Sequence, residues 1–429
     1  MTDRSGFARP TEQRADAVDH RAAHRVSPPD SPYPIRWLIA ALALFAASAA
    51  LSLLLHWWNG FIDLEVYRNG AEAWLKDRAV YGPMPPVQGT GLPFTYPPPA
   101  ALFFIPLAVT PLGGAQTLLL ATSVGCLAIT LWLVLGRIRP GLSRATMVIL
   151  VIGAVALTQT LEPVRQTFSY GQINLVLMAA VTLDCLVRKP VWPRGLLVGL
   201  ATSVKLIPGG FLLYFVLRKD WKAAATTVLA TAAAFGAAFL IMPDDSAEYW
   251  SKTLSNTDRI GAPYYAGNQS IKGAVFRLGV SDSTATILWL TLSLVTVTLA
   301  AIWMRRLLDA DAPVAALLVN AAALLLISPI SWSHHWVWVA PALVFVVDRI
   351  ARGKRDPRVV GVVVAAALVL LTAPQWWLPN SEDRELGWAW WQQIIGSGYV
   401  LATFAMFVVA VAVYRPALTG VRKAASAAA

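Results

Sequence analysis

The chain has few charged residues for its length. They make up 14% of its 429 residues, against about 25% in ordinary soluble domains. Hydrophobic residues make up 57% of the chain. This balance excludes a soluble single-domain protein.

Cysteine is also scarce, and the common nucleotide and metal motifs are missing. Cys126 and Cys185 both lie in apolar runs, so neither a disulfide framework nor a cysteine-based zinc site is expected. There is no Walker loop, no dinucleotide fingerprint and no His-Glu zinc helix. The acidic triplet 309–311 resembles a metal-binding motif, but it stands just before Pro313, where the start of a helix explains it better. We therefore expect no metal and no cofactor.

What the sequence has instead is a series of apolar runs of the length that a spanning helix needs, roughly 20 residues. Two further apolar stretches, 97–112 and 195–217, are interrupted and predict paired short helices or re-entrant hairpins. The predicted fold class is all-α, a polytopic membrane protein with about 12 transmembrane helices. The uninterrupted runs are 37–56, 114–136, 144–161, 172–187, 221–242, 284–304, 312–330, 335–350, 358–374 and 393–414.

The net charge of +11 invites a nucleic-acid function, but the position of the basic residues indicates membrane orientation instead. The basic loops all fall on one side if both interrupted stretches return to the side they left, and basic loops mark the cytoplasmic side. Residues 1–35 lack apolar periodicity and are predicted to be a disordered cytoplasmic tail. The transmembrane domain is predicted over 36–415, and a second cytoplasmic tail over 416–429.

The first outer loop contains a short helix with a carboxylate at its start. Its apolar face predicts an interfacial helix on the membrane surface. Asp63 could accept a proton from a substrate hydroxyl, with Glu65 as its nearest rival, or could simply cap the helix. The residues on the apolar face are Leu64, Tyr67, Ala71, Trp74 and Leu75.

Other polar residues stand at the mouths or breaks of the apolar runs. Gln172 and Asn174 offer amide donors and acceptors for a sugar, although turn chemistry around Gly171 is an equally ordinary role. Lys205 lies in the break of 195–217, where an ionisable residue indicates a functional site unless it snorkels to the interface. Arg165 is a further cation for a phosphate.

Two outer loops add amides, aromatic residues and histidines. Asn268 and Gln269 lie in a loop whose composition suits a sugar or head group, although an ordinary surface loop could look the same. His334 and His335 stand beside tryptophans, where histidine donates to a phosphate or shuttles a proton, or belongs to an aromatic belt at the interface. The tryptophan-rich run 376–391 is interpreted as an interfacial anchor.

These outer-side motifs form an ordered set. They are Asp63-Leu64-x-Val66-Tyr67, Pro93-Phe94-x-Tyr96-Pro97-Pro98, Gly171-Gln172-Ile173-Asn174, Lys205-Leu206-x-Pro208, Gly267-Asn268-Gln269-Ser270 and Ser328-Pro329-Ile330-Ser331-Trp332-Ser333-His334-His335-Trp336. The set resembles the bacterial polyprenol-phosphate-mannose-dependent α-mannosyltransferases of glycosyltransferase family 87. The resemblance covers essentially the whole membrane region; single motifs are weak, but their order is specific.

The resemblance implies a GT-C fold and a catalytic base early in the first outer loop, a role that carries onto Asp63. It implies inverting transfer of mannose from polyprenyl phosphate mannose to a hydroxyl, expected to be a mannose 2-hydroxyl. The acceptor would be a phosphatidylinositol mannoside or a related lipoglycan, and the product an α-mannoside. The site would face the extracytoplasmic side of a bacterial inner membrane. The expected partners are the donor, the glycolipid acceptor and the bilayer, without nucleic acid, and a monomer is expected.

Two other functions stay open. One is that of another GT-C enzyme that uses a lipid-linked sugar, such as an arabinofuranosyltransferase, and the other is that of a secondary transporter or lipid flippase. Transporters also use broken helices, but no convincing internal repeat is present and the polar residues gather on one side.

The expected roles of the site residues divide into three groups. The assigned residues are Asp63 and His334 for catalysis; Lys205, His335, Arg165, Gln172 and Asn174 for the donor phosphate or sugar; and Tyr67, Tyr96, Tyr170, Asn268 and Gln269 for the acceptor or sugar.

Overall fold

A computed structural model describes residues 33–58, 60–353 and 357–413. Within these ranges the chain is helical, with no strand and only two isolated β-bridges, Val87–Thr90 and Asn268–Trp332. The all-α prediction is therefore confirmed. The predicted tail 1–35 lies almost wholly outside the described residues, and the predicted tail 416–429 lies wholly outside them.

The first half of the chain forms helices α1 to α10. The break at Lys205 is followed by a short 3-10 helix, Ile207–Phe211. The bounds are α1 Tyr33–Leu54, α2 Ile62–Leu75, α3 Pro98–Phe103, α4 Ile105–Val109, α5 Leu112–Ile138, α6 Arg144–Thr158, α7 Glu162–Tyr170, α8 Asn174–Leu186, α9 Leu196–Val204 and α10 Leu212–Leu217.

The second half forms helices α11 to α19. A 3-10 helix at Ser333–Trp338 precedes α16 and carries both histidines. The bounds are α11 Trp221–Ile241, α12 Pro243–Glu248, α13 Ile271–Phe276, α14 Asp282–Asp309, α15 Pro313–Ile327, α16 Val339–Arg352, α17 Pro357–Thr372, α18 Trp390–Gly396 and α19 Gly398–Val413.

Each uninterrupted apolar run contains a helix, but the helices differ in length. In the described part of the chain, α1, α5, α11 and α14 are long and apolar enough to cross a membrane. Two bent pairs pass the same test together: α6 with α7, bent by 80°, and α18 with α19, bent by 77°. The chain is thus a polytopic membrane protein, and the total of about 12 crossings stays a prediction.

Both interrupted stretches are broken helices, as the sequence predicts. In the first, Phe104 separates α3 from α4, and the chain then turns at Pro111 before α5. In the second, Lys205 is extended (φ −151°, ψ 126°) and ends α9. Pro208 lies just beyond, where proline prevents a regular helix from continuing.

Helix α2 is the predicted helix of the first outer loop, but its surroundings differ from the prediction. Leu64, Tyr67 and Ala71 are fully buried, because α2 packs against α3 and α4. This part of the apolar face therefore contacts protein. Capping by Asp63 is wrong, since the N-cap is Phe61 and Asp63 lies in the first helical turn.

Two large apolar clusters hold the helices together. One cluster joins α8, α9, α10, α14, α15 and α19 around Phe215 and Leu317. The other surrounds α2, with Tyr67 stacked on Phe104 at a centroid distance of 4.1 Å. The polar side chains assigned from the sequence lie where the helices of these clusters break or begin.

Candidate active site

The structure brings most of the assigned polar residues into one connected group, here called the polar cluster. Its members lie at the start of α2, just before α3, at the turn between α7 and α8, in the break after α9, and in the 3-10 helix before α16. Five distant segments thus converge at one place. The members of the polar cluster are Asp63, Tyr67, Tyr96, Gln172, Asn174, Lys205, His334 and His335.

Gly171 allows the turn between α7 and α8 to approach α2 closely. It has a left-handed backbone (φ 65°), which glycine adopts without steric cost. A Cβ at this position would stand 2.9 Å from the Cβ of Leu64. The absence of a side chain therefore lets Gln172 reach Asp63.

Asp63 is a half-buried carboxylate with an amide partner. Removal from water raises its pKa to about 6, while a hydrogen bond from Gln172 and the charge of Lys205 act in the opposite direction. A carboxylate with a pKa near the working pH suits general-base chemistry. Among the described residues Glu65 has no side-chain partner, and a residue two positions along a helix faces away from Asp63.

Two tyrosines hold the amide of Gln172 in one orientation. The Tyr67 hydroxyl donates to Gln172 Oε1 at 2.8 Å, and the Tyr96 hydroxyl lies 3.4 Å from the same oxygen. Burial raises the pKa of Tyr67 and of Tyr96, so both remain protonated donors. With Oε1 accepting, the NH2 group of Gln172 is the donor to Asp63.

Lys205 points into the polar cluster instead of snorkelling. Its Nζ lies 3.1 Å from Asn174 Oδ1 and 3.2 Å from His335 Nε2, and 5.4 Å from the ring centroid of Tyr96. These partners are neutral, and no ion pair forms with a carboxylate in the described part of the chain. The ammonium group is therefore available to pair with an anion from a ligand.

The histidines are oriented so that ring nitrogens are left without protein partners. The backbone oxygen of His334 accepts from Thr167 Oγ1 and from Asn174 Nδ2, each at 2.9 Å. Because the Lys205 ammonium only donates, His335 Nε2 accepts and His335 Nδ1 carries the proton. Within the described residues, His335 Nδ1 and His334 Nε2 are buried without a hydrogen bond.

Asn174, Lys205 and His335 also line a small cavity of about 50 Å³ whose other walls are apolar. Ligand pockets usually hold about 300–1,000 Å³, so a lipid-linked phosphate would have to widen this one. The apolar lining comes from α8, the broken segment after α9, α15 and the 3-10 helix, and consists of Leu177, Met178, Val181, Ile207, Pro208, Phe211, Ala321, Leu324, Leu325, Val337 and Trp338.

Two assigned residues are not members of the polar cluster: Arg165, expected to contact the donor, and Tyr170, expected to contact the acceptor or sugar. Arg165 lies with its guanidinium 4.3 Å from the ring centroid of Trp57, and the structure gives it no contact with Lys205 or the histidines. Tyr170 is closer, since its ring packs edge-on against His334 with centroids 5.2 Å apart. Tyr170 thus borders the polar cluster, whereas Arg165 lies outside it.

Asn268 and Gln269 are fully buried, so the structure does not bring them to a surface where an acceptor could bind. Asn268 Oδ1 accepts from the backbone of Ser331 at 2.9 Å. The backbone of Gln269 donates to the oxygen of Ser331 at 2.8 Å, and its side chain donates to the oxygen of Gly396 at 2.7 Å. Both residues therefore hold the turn that leads to the histidines.

Glu162 is a member of the site's framework that the sequence reasoning missed. Its fully buried carboxylate accepts from Ser333 Oγ at 2.6 Å, Trp376 Nε1 at 2.9 Å and Tyr399 OH at 3.1 Å. Glu162 thereby ties the start of the 3-10 helix Ser333–Trp338 to the last outer loop. An ionisable residue at the end of an apolar run is the signal that could have identified it.

The tryptophan-rich run is only partly the interfacial anchor that the sequence predicts. Trp376 bonds Glu162, and Trp388 is buried and donates to the oxygen of Pro379 at 2.7 Å. Trp377 and Trp390 remain 69% and 76% exposed. Spacing alone could not distinguish the tryptophans that pack inside from those that face outward.

Comparisons with known proteins agree with the resemblance. The profile described as Glycosyltransferase family 87 matches residues 94–329. A Mycobacterium tuberculosis polyprenol-phosphate-mannose-dependent alpha-(1-2)-phosphatidylinositol mannoside mannosyltransferase is 38% identical over 92% of this chain and 93% of its own length. Its Mycolicibacterium smegmatis namesake is 40% identical over 81% and 83%. A Mycobacterium tuberculosis pentamannoside mannosyltransferase of this type is 33% identical over 94% and 93%.

No solved structure is detectably similar to the chain. The family and the named relatives confirm a glycosyltransferase and do not favour a transporter or flippase. They also confirm the family that the ordered motifs indicate. The chain therefore belongs to glycosyltransferase family 87, a GT-C family of membrane enzymes.

Proposed function

We propose that the chain transfers mannose from polyprenyl phosphate mannose to a hydroxyl of a phosphatidylinositol mannoside or related lipoglycan. The relatives' names supply this donor and acceptor class. The observation that carries the proposal for this chain is the polar cluster itself. Asp63, with a pKa of about 6, stands in one connected network with Lys205, which also lines a small, mainly apolar cavity.

The donor phosphate would lie at Lys205 and the histidines. As the bond between the sugar C1 and the phosphate oxygen breaks, negative charge grows on the phosphate. Among the described residues, Lys205 supplies a cation that forms no ion pair with a carboxylate, and His335 Nδ1 supplies a donor without a hydrogen-bond partner. Groups placed in advance around developing charge lower the barrier of the reaction.

Asp63 would remove the proton of the acceptor hydroxyl. The acceptor oxygen forms a bond to C1, the C1–O bond to phosphate breaks, the proton moves to the carboxylate, and polyprenyl phosphate leaves. Attack on the face opposite the leaving phosphate inverts C1, so a β-linked mannosyl phosphate gives an α-mannoside. We propose a mannose 2-hydroxyl as the attacking group, in line with the α-(1-2) linkage in the relatives' names.

The site would face the extracytoplasmic side of the inner membrane, with both termini in the cytoplasm. Asn174 of the polar cluster begins α8, and the basic loop at Arg188 and Lys189 follows its end. Basic loops favour the cytoplasmic side, so the polar cluster belongs to the other. We propose that the enzyme works as a monomer, which its mass in detergent solution would test.

The test compares Asp63→Asn with a matched control, Glu65→Gln, in an assay with radiolabelled polyprenyl phosphate mannose and purified phosphatidylinositol mannoside. Loss of a general base lowers rates by about 10²–10⁴-fold, and we expect this of Asp63→Asn only. Both variants must elute from size exclusion like the wild type. An Asp63→Asn protein within tenfold of the wild-type rate would contradict the proposed role of Asp63.

A further inference from the structure

A second cavity lies at the opposite end of the helix bundle from the polar cluster. It has a volume of about 770 Å³ and is lined in part by Arg188 and Arg349. Arg188 follows α8, whose other end begins at Asn174 of the polar cluster, and Arg349 lies near the far end of α16. Helices of 13 and 14 residues are about 20 Å long. This cavity is thus separate from the polar cluster.

Basic side chains from separate parts of the chain converge on this cavity. Arg137 belongs to the last turn of α5, Arg188 to the loop after α8, Lys219 to the turn before α11, and Arg349 to α16. Membrane orientation explains why basic residues lie in loops at this end. It does not require them to line one concave surface, where like charges repel each other and attract anions.

These four side chains have no partner among the residues that the structure describes: none makes a hydrogen bond or an ion pair there. The Nε of Arg137 is buried as well as unpartnered. Buried polar atoms are normally hydrogen-bonded, so this donor is open to water or to a ligand. The four cations therefore remain available to a ligand.

Most of the other charged residues on the cavity wall are engaged. Arg218 donates to Tyr214 OH at 2.9 Å, whereas Asp311 also lines the cavity and its carboxylate has no partner among the described residues. Arg305 lies 3.6 Å from Asp309 and donates to the oxygen of Leu217 at 3.2 Å. Arg352 pairs with Asp348 at 2.5 Å. Arg305 lies beside the carboxylate of Asp309, so Asp311 is the acid left to offset the unpaired cations. With seven basic and two acidic residues in its lining, the cavity keeps a positive excess.

Apolar side chains form another part of the same wall. Trp303 packs edge-on against Phe407, with centroids 5.5 Å apart, and Ile138 and Phe345 also line the cavity. A soluble phosphate would not need such a surface. A phosphate joined to acyl chains would contact both kinds of lining, as anionic lipid head groups do in basic pockets between membrane helices.

We propose that this cavity binds the phosphate of an anionic phospholipid. The ligand chemistry is a phosphate monoanion or dianion held by Arg137, Arg188, Lys219 and Arg349. The apolar wall favours a lipid as its source over a free phosphate compound. The proposal concerns the end of the bundle that carries the basic loops and does not rest on the proposed mannosyl transfer.

The test measures lipid retention by native mass spectrometry of the full-length protein in detergent, with phosphatidylglycerol or phosphatidylcholine added. The variant is Arg137→Gln/Arg188→Gln. The control is Arg144→Gln/Lys222→Gln, two exposed basic residues outside the cavity lining. We expect the wild type and the control to retain phosphatidylglycerol at least tenfold better than phosphatidylcholine. We expect the variant to retain about tenfold less phosphatidylglycerol than the wild type.

A second arm distinguishes a lipid from a free phosphate compound. Sodium pyrophosphate is added to the three proteins and their melting temperatures are compared. Stabilisation of the wild type and the control, but not the variant, together with no lipid preference, would keep the phosphate site but assign it a soluble ligand. A variant that retains phosphatidylglycerol like the wild type would overturn the proposal. So would a wild type that neither prefers phosphatidylglycerol to phosphatidylcholine nor is stabilised by pyrophosphate.

Single substitutions keep the test decisive if the double variant does not fold. Arg188 and Lys219 are exposed and lie in connecting segments, so Arg188→Gln and Lys219→Gln are expected to leave the fold intact. Each should lower phosphatidylglycerol retention about threefold. Unchanged retention in both, with normal elution from size exclusion, would also overturn the proposal.

Discussion

At the scale of single residues, Asp63 and Lys205 are the two charges that the site depends on. Asp63 loses water through burial, which raises its pKa, and Lys205 lowers it again through its positive charge. The balance leaves the pKa at about 6, so the carboxylate is ionised at neutral pH. The two residues should therefore be coupled in the pH dependence of the reaction.

The pH profile gives a direct prediction. A general base works only when deprotonated, so kcat/KM should rise with pH up to about 6, the pKa of Asp63, and then level off. Lys205→Gln removes the charge that lowers this pKa, so the rising limb should move to higher pH. The same variant should lower the plateau by about 10²–10³-fold, as expected for loss of a group that stabilises developing charge.

The matched control is Lys252→Gln, an exposed lysine in the π-helical segment Tyr249–Thr253 that follows α12. It should leave both the limb and the plateau unchanged. If Lys205→Gln lowers the plateau without moving the limb, Lys205 and Asp63 are not coupled and another group titrates. Initial rates at low donor concentration from pH 5 to pH 8 provide the measurement.

At the scale of elements, the site depends on short segments that must be held against one another. The 3-10 helix with His334 and His335 is fixed at its start by Glu162, which accepts from Ser333. Asn268 fixes the turn before it through Ser331. Neither contact touches the polar cluster directly, so both act through the position of the histidines.

Glu162→Ala should disturb this arrangement. It leaves the donors of Ser333, Trp376 and Tyr399 without their acceptor, and each buried unsatisfied group costs about 1–3 kcal/mol. We expect a lower melting temperature and a rate at least tenfold below wild type. Glu162→Gln keeps an acceptor oxygen and should recover part of both; equal loss in the two variants would mean that the charge matters more than the hydrogen bonds.

The contact between α2 and the loop before α3 gives a second test at this scale. A Cβ at Gly70 would stand 2.2 Å from the ring of Phe94, so Gly70→Ala requires movement of a buried aromatic side chain. Overpacking of this kind costs about 1–3 kcal/mol. Because Tyr67 lies one turn earlier on α2, its bond to Gln172 should also weaken and the rate should fall.

The control for Gly70→Ala is Gly125→Ala within α5, where nothing lies within 4 Å of the added Cβ. Alanine is favoured over glycine inside a helix, so this variant should be as stable as the wild type or slightly more so. Thermal unfolding followed by circular dichroism compares them. Equal melting temperatures for the two variants would show that Phe94 adjusts without cost.

The sequence allowed some of these elements to be predicted and not others. Asp63 was identifiable from its position shortly after the first apolar run and from the family resemblance, and Lys205 because an ionisable residue inside a broken apolar stretch is costly. Asn268 and Gln269 look equally suitable by composition, yet side-chain direction depends on packing that the sequence does not display. Glu162 was missed because its partner Tyr399 is 237 positions away.

At the scale of the whole molecule, the two ends of the bundle have different chemistry. One end carries the polar cluster, with a single lysine among neutral donors. The other carries the basic cavity lined by Arg137 and Arg188. This asymmetry follows from the same chain crossing between the ends repeatedly, with α8 joining Asn174 to the loop of Arg188. It leads to a prediction about sidedness that does not require an activity assay.

Two single cysteines should report opposite sides of the membrane. In a background with Cys126 and Cys185 replaced by serine, Thr90→Cys lies in the exposed loop between α2 and α3, and Lys189→Cys in the exposed loop after α8. A membrane-impermeant maleimide should label Thr90→Cys in intact cells. It should label Lys189→Cys only after the cells are permeabilised, because basic loops stay in the cytoplasm. The reverse pattern would place the polar cluster on the cytoplasmic side, and donor and acceptor would then have to reach it from there.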